Sequence, residues 1–209
     1  MTTSPTRSRV KYPTEILTPE EMLALLYAPS ERAPTGVRNR GVIAALYGAG
    51  MRVQEMLDLR PSSINIMERG IRVLHGKGDE ARTVGIDQGA LLHVVRWMDL
   101  RRARGIRGTT LFCTLAGGPM DQHYVRVMMV RMAMRAGIDK RVYPHVLRHT
   151  HAAELEKQGF TVSEIQQQLG HKNLNTTAIY LNHISPSARI AKIGARRETL
   201  EPVRLALVR

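Results

Sequence analysis

The chain has 209 residues, 43% of them hydrophobic, and 31 Lys+Arg against 18 Asp+Glu give a formal charge of +13. This suits one folded domain with short appendages and an electropositive surface that attracts polyanions, nucleic acid first and anionic membrane second. A single cysteine, Cys113, excludes an intramolecular disulfide and a cysteine-based zinc site; with no bilayer-length apolar run and no signal-peptide pattern, a soluble cytoplasmic protein is expected.

Residues 1–13 are polar and basic, with Arg7, Arg9 and Lys11, and read as a flexible arm. Thr18-Pro19-Glu20-Glu21 forms a capping box with proline at the first helical position, opening a helix through about Tyr27. After a loop over 28–35, Gly36 to Tyr47 reads as a largely buried helix, closed by Gly48-Ala49-Gly50. A short helix from Arg52 to Leu57 follows. The apolar period then changes from helical to alternating: Ser63–Ile66, Gly70–Leu74 and Arg82–Ile86 read as three strands of a small antiparallel meander. Lys77 lies between two glycines at the tip of its second hairpin. The rest reads as helical over about 88–104, 121–136, 144–158, 163–169 and 175–183, with a short buried segment at 110–113 that holds Cys113. The tail from Ser185 to Arg209 is basic, with a helix-like piece at 188–193. The fold class is therefore α+β, mainly helical. Trp97, Met98 and the Met128/Met129/Met132 group follow helical spacing and read as core, whereas Arg101, Arg102, Arg104 and Arg107 suit either phosphate contacts or a solvated face.

Four segments carry candidate chemistry. Arg52 opens a helix directly after a glycine break, and Glu55, one turn on, can orient its guanidinium or form an ordinary surface ion pair. Lys77 between glycines can approach a nucleic-acid backbone closely, or be a solvated turn lysine. His145 and Arg148 share a face at the start of a helix, where free N–H groups point toward an anion. His171 follows a Leu-Gly pair, and Tyr180 stands nine residues beyond it. Guanidinium and imidazole groups can bind phosphodiester oxygens while a phenol attacks phosphorus. Two other readings fail on spacing. In Gly70–Gly78 the first glycine is one residue too far from Gly76-Lys77 for a phosphate-binding loop, and Gly78 replaces the required Ser/Thr. His145 and His149 are at i,i+4, but Val146 stands where a zinc protease needs Glu, and Arg148 between them repels a cation. His149, His151 and His183 read as core or surface histidines.

Taken together and in this order, GMRVQEMLDL, the hairpin lysine in HGKGDEARTV, HVLRHTHAAEL and LGHKNLNTTAIYL closely resemble the signature segments of the tyrosine recombinase (phage integrase) catalytic domain. The resemblance covers about residues 10 to 184 and implies that family's catalytic-domain fold over 14–184. It implies Tyr180 as nucleophile, forming a 3′-phosphotyrosyl link, with Arg52 and Arg148 clamping the non-bridging oxygens. Lys77 would protonate the leaving 5′-oxygen, His145 would help take the tyrosine proton, and His171 would add a hydrogen bond. Glu55 would orient Arg52. No cofactor and no metal are implied, since cationic side chains supply the charge stabilisation and the covalent ester stores the broken bond.

The resemblance further implies double-stranded DNA as partner, a nucleoid-associated location, a monomer when free and a homo-tetramer on paired sites. DNA-bending accessory proteins are possible partners. In similar proteins the segment after the tyrosine packs on a neighbouring protomer, so residues 185–209 are expected either to dock in trans or to cover their own core. His151 departs from the family's usual apolar or aromatic residue. The catalytic region begins within the first twenty residues, without room for the helical core-binding domain most members carry. A catalytic-domain fragment or a naturally short recombinase, similar to the fimbrial phase-switch invertases, is expected. Alternative functions are an inactive DNA-binding regulator and a type IB topoisomerase-like relaxing enzyme.

Overall fold

The computed structural model describes residues 15–74 and 81–170. Seven helices and one small sheet make up this part. Helix α1 (Pro19–Tyr27) begins as its capping box requires: the Thr18 hydroxyl accepts from the Glu21 N–H, and the Glu21 carboxylate accepts from the Thr18 N–H at 2.8 Å. Helix α2 (Pro34–Gly48) starts two residues earlier than its apolar run suggests, with Pro34 in the first turn. Val42, Ile43 and Leu46 are fully buried in it, and it packs on helices α4 (Gln88–Ala103) and α6 (Pro144–Lys157) as the central element of the core. A helix apolar on most sides has to be enclosed in this way.

Helix α3 (Val53–Asp58) leads into a 3-10 turn at Pro61–Ser63 and then the sheet. Strands β1 (Ile64–Asn65), β2 (Gly70–Val73) and β3 (Arg82–Gly85) pair antiparallel in that order. Ile71 faces Val84 across the β2–β3 pair, and both are buried. Strand β1 is shorter than its alternation predicts. Ser63 belongs to the 3-10 turn, where its hydroxyl accepts from the Arg60 N–H, and the chain turns back at Arg69 with φ 51°. The register places Val73 opposite Arg82. The hairpin tip with Lys77, the helices expected at 175–183 and 188–193, the arm and the tail all lie outside the described residues.

Helices α5 (Gln122–Arg135) and α7 (Val162–Leu169) complete the fold. Leu111, Phe112 and Cys113 are fully buried as an irregular segment, so the cysteine is core. Trp97, Met128 and Met129 are buried as their spacing predicts, and Met98 and Met132 pack against the same core. Arg101 departs from both of its expected roles. It is buried, and its guanidinium donates to the carbonyls of Ile106, Gly108, Thr110 and Leu111, holding the loop after α4. Arg102, Arg104 and Arg107 are exposed.

Candidate active site

The site forms where α2 ends, α3 begins and α7 ends. Gly50 adopts φ +60°, and a Cβ there would stand 2.5 Å from His151 Cδ2 and 2.9 Å from Leu169 Cδ2, so only glycine fits. This turn delivers Arg52 to the N-cap of α3. Glu55, one turn on, accepts from the Arg52 N–H at 3.0 Å and from Arg52 Nη1 at 2.7 Å. Glu55 is only 4% exposed, so the pair is not the surface i,i+3 bridge its spacing alone would allow. A third group, unmarked by the motifs, completes it: Arg82 donates from Nη1 to Glu55 Oε1 and from Nη2 to Oε2, both at 2.9 Å. Burial pushes the Glu55 carboxyl up, but the hydrogen bonds from Arg82 and the Arg52 backbone outweigh it and hold it below the usual carboxylate range.

Helix α6 supplies His145 and Arg148. Proline at its start suits the first turn, and the i,i+3 spacing puts both residues on one side. Arg148 is 2% exposed, donating from Nη1 to the Gly50 carbonyl at 2.7 Å and from Nη2 to the Leu169 carbonyl at 2.6 Å. Burial, with Arg52 and Arg82 adding repulsion and Glu55 opposing, pushes its pKa down to about 9. It remains a cation at neutral pH, with Glu55 the one carboxylate that acts on it among the described residues.

The C-terminal end of α7 gathers these guanidinium groups. The last carbonyls of a helix lack intrahelical donors and carry partial negative charge. Here Leu169 accepts from Arg148 and, at 3.3 Å, from Arg82 Nη2, while Gly170 accepts from Arg52 Nη2 at 3.0 Å. Gly170 itself takes the left-handed conformation, φ 66°, that ends the helix. Gln168 fixes the same helix end against the sheet, its amide accepting from the Gly85 N–H at 2.9 Å and donating to the Gly85 carbonyl at 2.7 Å.

Arg52, 30% exposed at its side chain, uses two of its five N–H donors on Glu55 and Gly170 among the described residues. Its other donors have no partner among the described residues and can take an anion. His145 lies on the exposed side of α6. Loss of hydration in the cleft, then Arg148, Arg52 and Arg126, lower its pKa, so its imidazole is neutral at neutral pH and able to accept a proton. His151, in contrast, is buried with its ring edge-on to Tyr47, 6.3 Å between centroids, and burial followed by Arg148 pushes it down to about 4. It is a core histidine. Among the described residues no three His, Cys, Asp or Glu side chains converge as metal donors, and both oxygens of Glu55 are taken by arginines.

Of the seven residues singled out by sequence, four (Arg52, Glu55, His145 and Arg148) meet in this cleft. Lys77, His171 and Tyr180 lie outside the described residues. His171 follows Gly170 directly in the chain, and Lys77 belongs to the segment linking β2 to β3. Arg82 is the residue that sequence reasoning missed. Its one signal is a cation at the first position of a strand, which ordinarily marks a solvated strand end.

Residues 15–185 match the sequence profile of the phage integrase family. The tyrosine recombinase XerD of Staphylococcus aureus is 31% identical over 176 residues, which cover 83% of this chain and 59% of that protein. The chain thus spans about three-fifths of the length of this relative. Among solved structures, the XerA recombinase superposes with a TM-score of 0.78 at 29% identity, covering 92% of this chain and 67% of that one. The XerH site-specific recombinase, bound to its palindromic difH substrate in a post-cleavage complex, superposes with a TM-score of 0.73 at 27% identity, covering 89% and 54%.

Proposed function

The chain belongs to the phage integrase family, and on that footing we propose that it is a site-specific DNA recombinase acting through a 3′-phosphotyrosyl intermediate. The observation that supports this reading is the arginine pair: Arg52 and Arg148, from helices far apart in sequence, are anchored at one helix end, and the part-exposed Arg52 keeps donors without a partner among the described residues. Two planar, fixed forks match the non-bridging oxygens of a phosphodiester better than point charges do.

In this reading the Tyr180 hydroxyl attacks phosphorus, a P–O bond to tyrosine forms, and the P–O5′ bond breaks. The tyrosine proton passes to His145, whose lowered pKa leaves it neutral and ready. Lys77 gives a proton to the departing 5′-oxygen. Arg52, Arg148 and His171 hold the charge that builds on the pentacoordinate phosphorus. Reversal by another strand's 5′-hydroxyl rejoins DNA without a nucleotide cofactor. The assembly is a monomer in solution and a tetramer on paired sites, near the nucleoid and aided by DNA-bending proteins. Residues 1–13 act as a basic arm, 14–184 as the catalytic domain, and 185–209 as a tail that docks on a neighbouring protomer.

The test is covalent capture. The protein is incubated in EDTA with nicked duplexes of randomised sequence, and adducts are resolved on a denaturing gel. The expected result is a DNA-linked species that disappears in Tyr180→Phe. An adduct that persists in Tyr180→Phe, or no adduct from any duplex, overturns the reading.

A further inference from the structure

We propose that Arg82 is a positioning residue of this site: by gripping both oxygens of Glu55 and the end of α7, it aims the Arg52 guanidinium at the phosphate and keeps Glu55 from cancelling its charge. The proposal rests on the recombinase reading above. Its geometric basis is a shared carboxylate. Glu55 Oε1 accepts from Arg52 at 2.7 Å and from Arg82 at 2.9 Å, while Oε2 accepts from the second arm of Arg82 at 2.9 Å and from the Arg52 N–H at 3.0 Å. Both oxygens are thereby held, so the carboxylate cannot turn and the arm of Arg52 it anchors is fixed. The second anchor of Arg52, the Gly170 carbonyl, adjoins the Leu169 carbonyl that Arg82 holds at 3.3 Å.

Charge gives the second part of the argument. Three arginines and one carboxylate leave the cluster at a formal +2. Without Arg82, the buried carboxylate would keep Arg52 as its one cationic hydrogen-bond partner among the described residues, and the field at the phosphate would fall just where negative charge grows during transfer. The fit is also built into the backbone. A Cβ at Gly170 would stand 2.6 Å from Arg82 Nε, so this left-handed glycine leaves the slot that the guanidinium fills. Finally, Arg82 sits opposite Val73 at the base of the hairpin carrying Lys77. One side chain therefore ties together the three segments that supply Lys77, supply Arg52 and lead into His171.

The test uses the full chain and a nicked duplex recovered by the wild-type protein from the randomised pool. Arg82→Gln is expected to lower the single-turnover cleavage rate at saturating DNA by about 10- to 100-fold, less than the loss from removing a donor that touches the transition state directly, while Kd changes by less than about threefold. Adding Glu55→Gln to Arg82→Gln is expected to recover part of that rate, because the uncompensated carboxylate is gone. Arg82→Lys, which keeps the charge but not the fork, is expected to restore thermal stability and only part of the rate. A role in stability alone predicts rates that track the folded fraction, no recovery in the double variant, and full rescue by lysine; that pattern overturns the proposal. A second readout needs no DNA. The side-chain Nε–H resonance of Arg52 is expected to shift and broaden in Arg82→Gln, and an unchanged resonance overturns the proposal even if wild-type protein forms no adduct. Absence of a wild-type adduct counts against the recombinase reading, whereas an Arg82→Gln variant that cleaves as fast as wild type counts against Arg82 alone.

Discussion

Arg148 donates to the carbonyl of Gly50 across 98 positions of sequence, at 2.7 Å. The bond joins the two halves of the cleft. Gly50 ends the turn that presents Arg52, and Arg148 projects from the helix that presents His145. The same turn thus sets the placement of both arginines, and its conformation is part of the site although Gly50 has no side chain.

Gly50→Ala tests this coupling. Alanine in the left-handed region costs about 1–2 kcal/mol, and its Cβ would also press on His151 and Leu169 at 2.5 and 2.9 Å. Urea unfolding is expected to show a loss of about 2–4 kcal/mol once this overpacking is included. Cleavage by the fraction that stays folded is expected to fall as well, because the Gly50 carbonyl that aligns Arg148 must move. Unchanged unfolding would show that the turn can accept a side chain.

Arg148→Lys separates charge from geometry. Lysine keeps the positive charge but cannot donate to the Gly50 and Leu169 carbonyls while also forking onto a phosphate. The cleavage rate is expected to drop by about 10²- to 10³-fold, the scale of one lost transition-state donor. DNA affinity, read by fluorescence anisotropy, should change by far less, because non-specific affinity comes from many phosphate contacts and this substitution keeps the charge. Weakened binding with an unchanged rate at saturating DNA would make Arg148 a ground-state contact only.

Much of this architecture was legible from local patterns. The Thr18 capping box, the glycines after α2 and the change from helical to alternating period each have a local physical cause, and each marks an element found in the structure. Arg52, Glu55, His145 and Arg148 were legible as motif positions. Two features were not, for a shared reason. The burial of Glu55 depends on Arg82, 27 residues away, and the anchoring of Arg82 and Arg148 depends on the carbonyl end of α7. Backbone carbonyls carry no sequence identity, so a site organised around them leaves no motif. Arg101 misleads in the opposite direction: within an arginine-rich helix end it looks solvated, yet it caps loop carbonyls in the core. The roles of Lys77, His171 and Tyr180 rest on the family resemblance.

His151 predicts an acid-sensitive fold. Its folded pKa, about 4, lies below the ordinary histidine value of 6.5 because burial, then Arg148, disfavour the charged ring. Between those values the unfolded chain binds a proton that the folded chain does not. The stability contribution is therefore complete above about pH 6.5 and is lost progressively as pH falls toward 4. The full span is on the order of 3 kcal/mol. His151→Phe keeps a ring against Tyr47 and removes the titration. Urea unfolding at pH 7 and pH 5 is expected to show a smaller acid loss for this variant than for wild type; parallel curves would mean that another group governs the acid response.

Arg101→Ala distinguishes a structural arginine from a DNA contact. The side chain is buried and satisfies the carbonyls of Ile106, Gly108, Thr110 and Leu111, so truncation strands several acceptors at once. Hydrogen bonds from a charged donor are worth about 1.5–3 kcal/mol each and are not additive, so a total loss of about 2–4 kcal/mol is expected. Arg102, with its side chain 79% exposed beside Asp99, should change stability by less than about 0.5 kcal/mol on the same substitution. The salt dependence of DNA binding discriminates independently. Each phosphate contact removed lowers the slope of log K against log salt by about 0.9. Arg101→Ala is expected to leave that slope unchanged while lowering Tm, because its guanidinium is committed to the loop. A lowered slope with unchanged Tm would instead place Arg101 on the DNA.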